Sequence, residues 1–97
     1  MAQVMVRYKV KPDRAEENTA LVRAVYEELH RTAPGGLSYA TFVLDDGVSF
    51  VHMATHDDDD NPLAQVAAFQ RFQEHVRDRC EEPPVVARMR EVGSYRP

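Results

Sequence analysis

His52 and Tyr39 are the two side chains in this sequence whose types suit proton-transfer chemistry. They belong to neighbouring β-rich runs joined by Asp46-Gly47, and an Asp-Gly pair between such runs is a strong signal for a tight hairpin. The expected turn places Thr41 opposite His52 and Tyr39 opposite Ala54, so that both candidates share one sheet face. There, a neutral imidazole could accept a proton from a phenol or an enol. The pattern therefore indicates His52 and Tyr39 as candidate catalytic residues.

Three arginines are expected near this pair on the same face, namely Arg7, Arg88 and Arg90. Guanidinium groups there could stabilise an enolate or bind a carboxylate, which favours an anionic or ionisable aromatic ligand. Phe50 belongs to the same sheet face, on which polar and apolar residues are mixed, and is a further candidate for ligand binding. The alternative is that these side chains form a dimer interface, because interfaces also favour Arg and Tyr. The residue types leave both interpretations open.

No metal site and no cofactor site are expected. His52 and His56, four residues apart on one strand, would lie roughly 13 Å apart at ~3.3 Å per residue, too far to share an ion. The acidic run Asp57–Asp60 lacks the Gly and the final Glu of a calcium loop, so it is interpreted as a solvated loop. Cys80 stands among acidic residues, which disfavours a reactive thiolate. Motifs of dinucleotide, P-loop, zinc-protease and serine-hydrolase sites are missing from the sequence.

Length and charge narrow the class of protein. The chain has 97 residues, a formal net charge of −4 and one Cys. This length predicts a single domain over residues 1–97, and the acidic balance disfavours nucleic-acid binding. The longest uncharged stretch, residues 32–44, is 13 residues long and shorter than the ~18 needed to cross a bilayer. Without a signal-peptide pattern either, we expect a cytoplasmic protein that does not enter a membrane.

Hydropathy patterning predicts the element order βαββαβ. Strands are expected at residues 3–10, 37–45, 48–56 and 85–95. A first helix is expected from a capping box at Asp13 to about Ala33, and a second at about 67–80 after an opening turn at 62–66. This order is typical of the ferredoxin-like α+β fold, in which one antiparallel sheet carries both helices on one face.

The strand patterns also predict which sheet face the helices cover. We expect that face to be the more apolar one, formed by Val4, Val6, Val10, Phe42, Leu44, Val51, Met53, Val85, Ala87 and Met89. The opposite face would then hold the candidate residues together with Met5, Val43 and Phe50, which no further element of the chain covers. A second copy of the protein is the economical cover for such a surface. A homodimer through this sheet face is therefore expected.

Three segments, MVRYKVKPDRAEEN, ATFVLDDGVSFVHMATH and NPLAQVAAFQRFQ, together with the βαββαβ order, resemble the dimeric α/β-barrel superfamily and within it the antibiotic-biosynthesis-monooxygenase-like group. The resemblance implies a dimer whose sheets face each other and a pocket between sheet and helices. Since the second helix flanks that pocket in the family, Phe69 and Phe72 become candidate pocket walls. Members include cofactor-free oxygenases of aromatic polyketides, quinol oxygenases and haem-degrading enzymes. The haem degraders use an Asn, Trp and His set, and this chain contains no Trp.

Two functions are compatible with this resemblance. One is a cofactor-independent monooxygenase acting on a small aromatic or quinol-like substrate, which needs a base, an anion stabiliser and a dry apolar pocket. The other is a non-catalytic small-molecule binding or accessory protein built on the same barrel. The fold alone does not choose between them.

Overall fold

The computed structural model describes residues 1–97. Its main elements are β1 (Ala2–Val10), α1 (Ala15–Thr32), β2 (Leu37–Val43), β3 (Ser49–His56), α2 (Ala67–Glu74), α3 (Val76–Arg79) and β4 (Cys80–Met89). Short 3₁₀ turns at Pro12–Arg14 and Pro62–Gln65 precede α1 and α2. None of the helices combines the length and apolar character that crossing a membrane requires.

The four strands form one antiparallel sheet in the order β2-β3-β1-β4. Helices α1 and α2 pack against each other and share one core with the central strands β1 and β3. This arrangement confirms the expected ferredoxin-like α+β fold. The expected second helix is divided at His75 into α2 and the single turn α3.

The hairpin between β2 and β3 has the expected register. Val43 pairs with Phe50 and Thr41 with His52. The connection is longer than expected, since β2 ends at Val43 and β3 begins at Ser49. Within it, the Asp46 carboxylate accepts hydrogen bonds from the backbone N–H groups of Val48 and Ser49. Gly47 adopts φ +75°, a left-handed conformation that favours glycine. Hydrogen bonding to Ser49 and to these amides holds the pKa of Asp46 at about 2.

The last strand differs most from its expected range of 85–95. It runs from Cys80 to Met89, and residues 90–97 lie outside regular structure. Pro83 and Pro84, expected to end the helix before the strand, lie inside it. This is possible because β4 is an edge strand that pairs only with β1, so a missing proline N–H can face solvent.

The expected face of the β2–β3 hairpin is wrong. Tyr8 pairs with Phe50, Val6 with His52 and Val4 with Ala54, and residues paired across antiparallel strands share a face. The β1 face lies under the helices as expected, with Tyr8 2% and Val10 0% exposed, and it carries Phe50, His52, Thr41 and Tyr39 with it. The other side of the hairpin, which carries Phe42, Val51 and Met53, instead lies on the open face of the sheet.

The physical reason is that the polar side chains on the buried side of the hairpin, Tyr39, Thr41 and His52, find hydrogen-bond partners there. The hydroxyl and imidazole groups bond to one another beneath the helices, so their burial leaves no unpaired polar atom. The open face consequently exposes large apolar side chains, including Phe42 (52% exposed), Met53 (41%) and Val85 (64%). The expected helix-facing position of Val85, Ala87 and Met89 is also wrong, because the register with β1 pairs Ala87 with Met5 and Val85 with Arg7 on the open face.

Candidate functional site

His52 lies in the middle of β3 and is bonded on both ring nitrogens. The Tyr8 hydroxyl lies 2.8 Å from Nε2, and the Tyr39 hydroxyl lies 2.5 Å from Nδ1. Thr41 Oγ1 is a more distant neighbour of Nδ1 at 3.2 Å and bonds in turn to Tyr26. Strands β1, β2 and β3 therefore each supply part of this hydrogen-bonded cluster.

Two residues from outside the sheet extend the cluster behind Tyr8. Asn18 of α1, which is 0% exposed, donates from Nδ2 to the Tyr8 hydroxyl at 2.9 Å. Arg79 at the end of α3 donates from Nε to Asn18 Oδ1 at 3.1 Å and from Nη2 to the Phe72 carbonyl at 2.8 Å. Arg79 is 1% exposed and its guanidinium also lies over the Phe72 ring. The result is a continuous buried chain from Arg79 to Tyr39.

Burial controls the protonation of this cluster. It lowers the pKa of His52 to about 4, so the imidazole is neutral near pH 7. It also raises the pKa of the Tyr8 and Tyr39 phenols above their usual range, although hydrogen bonds from Asn18 and Thr41 act in the opposite direction. All three groups are therefore uncharged at neutral pH, and the cluster works through hydrogen bonds rather than through fixed charge.

A cavity of about 270 Å³ lies between the sheet and α2, next to the cluster. Its lining is mostly apolar, with Val4, Val6, Leu63, Phe69, Phe72, Val76 and Val86 among the lining residues. Tyr8, Tyr39 and His52 of the hydrogen-bonded cluster are also lining residues. Because Val86 is 66% exposed, we place the mouth of the cavity at the β4 edge. An apolar space with a few convergent polar groups is the usual form of a small-molecule site.

Aromatic rings form the cavity wall opposite the sheet. Phe69 meets Tyr39 edge to face at a centroid distance of 6.2 Å, and Phe72 lies 5.2 Å from the His52 ring. Helix α2 places these two phenylalanines, and its N-terminus is held by Glu28 of α1, which accepts hydrogen bonds from the Ala67 and Ala68 amides. These bonds lower the pKa of Glu28.

Four of the residues expected at the site line the cavity, namely His52, Tyr39, Phe69 and Phe72. Phe50 does not; it is 3% exposed and stacks on Tyr8 in the core at a centroid distance of 5.5 Å.

The expected cationic lining is wrong. Arg7 pairs with Val51 and Val85 and so belongs to the open face. Arg88 is 75% exposed, with Nη2 3.9 Å from Asp58, and Arg90 is exposed beyond the end of β4. For Arg7 the inverted hairpin is the cause, because it carries His52 and Tyr39 under the helices and leaves Arg7 on the other side of the sheet.

Tyr8, Asn18 and Arg79 were not expected at the site. Asn18 carried a usable signal, because it precedes Leu21, Val22 and Val25 at helical spacing and so falls on the buried stripe of α1. A polar residue on such a stripe needs a buried partner. Tyr8 alternates with Val6 and Val10 in the sequence and so falls on the helix-facing side of β1, but nothing local indicates a role at the site. Arg79 lies in a charged segment that gives no comparable signal.

Possible metal ligands do not cluster in this protein: no group of three or more His, Cys, Asp or Glu side chains is arranged to hold an ion. His56, the second histidine of the sequence pair, bonds through Nδ1 to the Asp57 carbonyl.

Comparison with known proteins identifies one family. Residues 1–75 match the family model described as antibiotic biosynthesis monooxygenase. A comparison with curated proteins finds no match.

Solved structures share the fold at low sequence identity. One, described as an antibiotic biosynthesis monooxygenase, is 22% identical with a TM-score of 0.75, and the match covers 96% of this chain and 100% of that one. A candidate antibiotic biosynthesis monooxygenase from Nitrosomonas europaea is 21% identical, with a TM-score of 0.75 and coverage of 94% and 89%. A Mycobacterium tuberculosis protein is 17% identical, with a TM-score of 0.69 and coverage of 96% of each chain.

Proposed function

We propose that this chain, which belongs to the antibiotic biosynthesis monooxygenase family, is a cofactor-independent monooxygenase for a small aromatic, quinol-like substrate. The observation that carries the proposal is the Tyr8–His52–Tyr39 cluster at the wall of an otherwise apolar cavity. An electron-rich aromatic compound can reduce O₂ itself once it is ionised. The protein then has to bind the ring, exclude water and stabilise the developing oxyanion.

The geometry supports a role for His52 through Tyr39 rather than as a free base. A histidine with a pKa of about 4 is a weak proton acceptor at pH 7, and both of its nitrogens are already bonded to tyrosine hydroxyls. The Tyr39 hydroxyl can bond the oxygen of an enolised aromatic ketone or phenol. Phe69 and Phe72 supply the apolar surface on which the ring packs.

Anthrone is a suitable probe for this chemistry. Its central CH₂ group, between two rings, becomes a carbonyl, while one oxygen atom of O₂ enters the product and the other leaves as water. The substrate supplies all four electrons, so the balance requires no further reductant.

Oxygen uptake and anthraquinone formation from anthrone test the proposal, measured against the protein-free rate. We expect turnover by the wild type, with at least a tenfold loss in Tyr39→Phe and in His52→Gln. Tyr26→Phe is the matched control. It also removes a tyrosine hydroxyl, one that bonds to Thr41, but Tyr26 does not line the cavity. Arg88→Ala should retain full activity. Equal rates in the wild type and Tyr39→Phe would contradict the proposal.

The second candidate function is ligand binding without catalysis. The observation that favours it is that His52 offers no free nitrogen and no pKa near 7 to act as a base. Binding of anthrone to the wild type with no oxygen uptake above the protein-free rate would support this alternative.

The proposal includes a homodimer formed through the open face of the sheet. Phe42, Met53 and Val85 are exposed together there with no further element to cover them. Large exposed apolar patches of this kind mark interaction surfaces, and a two-fold pairing of sheets would bury both copies of the patch. Assembly was expected through the β1 face that carries Met5, and this is the open face. The hairpin residues exposed on it are Phe42 and Met53 rather than the expected Val43 and Phe50.

A further inference from the structure

Arg79 is a buried guanidinium whose hydrogen bonds go to neutral oxygen atoms. With 1% of its surface exposed, it donates to Asn18 Oδ1 and to the Phe72 carbonyl. A guanidinium has only donors and no acceptor. Its presence therefore determines which end of the Asn18 amide faces it.

The direction of the whole chain follows from that constraint. Since the Asn18 oxygen faces Arg79, its NH₂ group faces Tyr8, and the Tyr8 oxygen accepts that bond. Tyr8 then has one proton to donate, and its remaining bonded neighbour is His52 Nε2 at 2.8 Å. If Nε2 accepts, the proton of the neutral imidazole lies on Nδ1, which donates to the Tyr39 oxygen.

The opposite direction leaves a buried donor unpaired. If Nε2 carried the proton, the Tyr8 oxygen would accept from both Asn18 and His52, and its own O–H would find no acceptor in its buried surroundings. An unsatisfied buried donor of this kind destabilises a protein measurably. Every group from Arg79 to His52 is therefore satisfied in one direction only.

We propose that Arg79 and Asn18 are positioning residues that hold His52 as its Nδ1–H tautomer, so that Tyr39 presents its O–H to the cavity as a hydrogen-bond donor. This inference rests on the proposed function and narrows its substrate class. The site selects a ligand with an acceptor oxygen, either a carbonyl or an ionised phenol or enol, over a ligand that can only donate. The Tyr39 hydroxyl bonds to His52 Nδ1, and when Nδ1 carries the proton the Tyr39 O–H is left for an acceptor oxygen of a ligand.

The tautomer can be measured without any ligand by ¹⁵N–¹H long-range correlation spectroscopy of the wild type, with His52 assigned through His52→Gln. We expect a protonated Nδ1 and an unprotonated Nε2 near pH 7. In Asn18→Asp the carboxylate accepts from both Arg79 and Tyr8, so Tyr8 must turn its proton away from His52 and the tautomer should switch to Nε2–H. Gln65→Glu, the same chemical change at an exposed position, is the matched control and should leave the tautomer unchanged.

A wild-type Nε2–H tautomer, or an Asn18→Asp variant that folds and keeps Nδ1–H, would overturn the proposal. Because the wild-type measurement needs no substitution, a variant that fails to fold does not prevent the test.

Ligand selection is tested with two bicyclic probes of similar size, 1-indanone, which only accepts a hydrogen bond, and indole, which only donates one. We expect the wild type to bind 1-indanone roughly 3- to 10-fold more tightly than indole, and Asn18→Asp to lose or reverse that preference. Equal affinities in the wild type would overturn the selection rule. If anthrone is not oxidised but the tautomer and the preference for 1-indanone are as expected, the inference stands and the monooxygenase proposal fails.

Discussion

His52 is a histidine that the fold holds uncharged. Hydrogen bonds with two tyrosine hydroxyls satisfy both nitrogens, one as acceptor and the other as donor, and burial removes the solvent that would stabilise an imidazolium. A neutral His52 lets the surrounding tyrosines act as one polar unit in an apolar wall. Its ionisation equilibrium should therefore be coupled to folding.

We expect acid destabilisation between pH 6.5 and about 4 that depends on His52. The native pKa of about 4 lies below the unfolded value of 6.5, so the unfolded state binds the proton first as the pH falls. The stabilisation is fully present above pH 6.5, is lost progressively down to about pH 4, and amounts to at most about 3 kcal/mol.

Urea unfolding at several pH values measures this effect as the free energy of unfolding. His52→Gln should flatten the pH dependence across that window, at the expense of lower stability at pH 7. His75→Gln is the control, because His75 is exposed on the helical surface and its removal should leave the profile of the wild type. A wild-type stability independent of pH from 6.5 to 4 would contradict a neutral buried His52.

At the scale of elements, the site depends on how α2 is anchored over the sheet. Its N-terminus is capped by Glu28, a side chain of another helix, which bonds the Ala67 and Ala68 amides at 3.1 and 2.9 Å. A carboxylate at a helix N-terminus accepts hydrogen bonds from the free N–H groups there, and its negative charge interacts favourably with the positive end of the helix dipole. Because α2 carries Phe69 and Phe72, this bond between helices also positions the cavity wall.

Glu28→Ala is accordingly expected to lower the Tm by a few degrees and to weaken 1-indanone binding several-fold. Differential scanning calorimetry and a binding titration measure the two effects. Glu27→Ala is the matched control, since Glu27 is the adjacent exposed glutamate of α1. Equal losses in the two variants would show that the capping bonds do not hold α2.

At the scale of the whole molecule, one sheet face is occupied by helices and the other by exposed apolar side chains. Phe42→Asp places a charge on that open face and should produce a monomer of the 11.1 kDa chain, whereas the wild type should elute at twice that mass. Light scattering coupled to size exclusion chromatography measures both. Gln70→Asp, on the exposed side of α2, is the control and should remain dimeric. A monomeric wild type at micromolar concentration would contradict the dimer.

Local sequence patterns were sufficient for the order of elements, the hairpin register and the antiparallel α+β fold. These features depend on interactions between residues near in sequence, such as the period-two alternation of β1 and the turn chemistry of Asp46-Gly47. Resemblance to a family added the cavity between the sheet and the second helix, and with it Phe69 and Phe72. His52 and Tyr39 were also correctly placed beside each other, because register alone determines that they share a face.

The face that meets the helices was decided only by tertiary structure. Hydrophobicity favoured burying Phe42, Val51 and Met53, but the competing face could be buried because its hydroxyl and imidazole groups bond one another across three strands. The hydrogen bonds of Asn18 with Tyr8 and with Arg79 join residues that are 10 and 61 positions apart. No local pattern reports such a contact, since its energy exists only when the partners meet in the folded core.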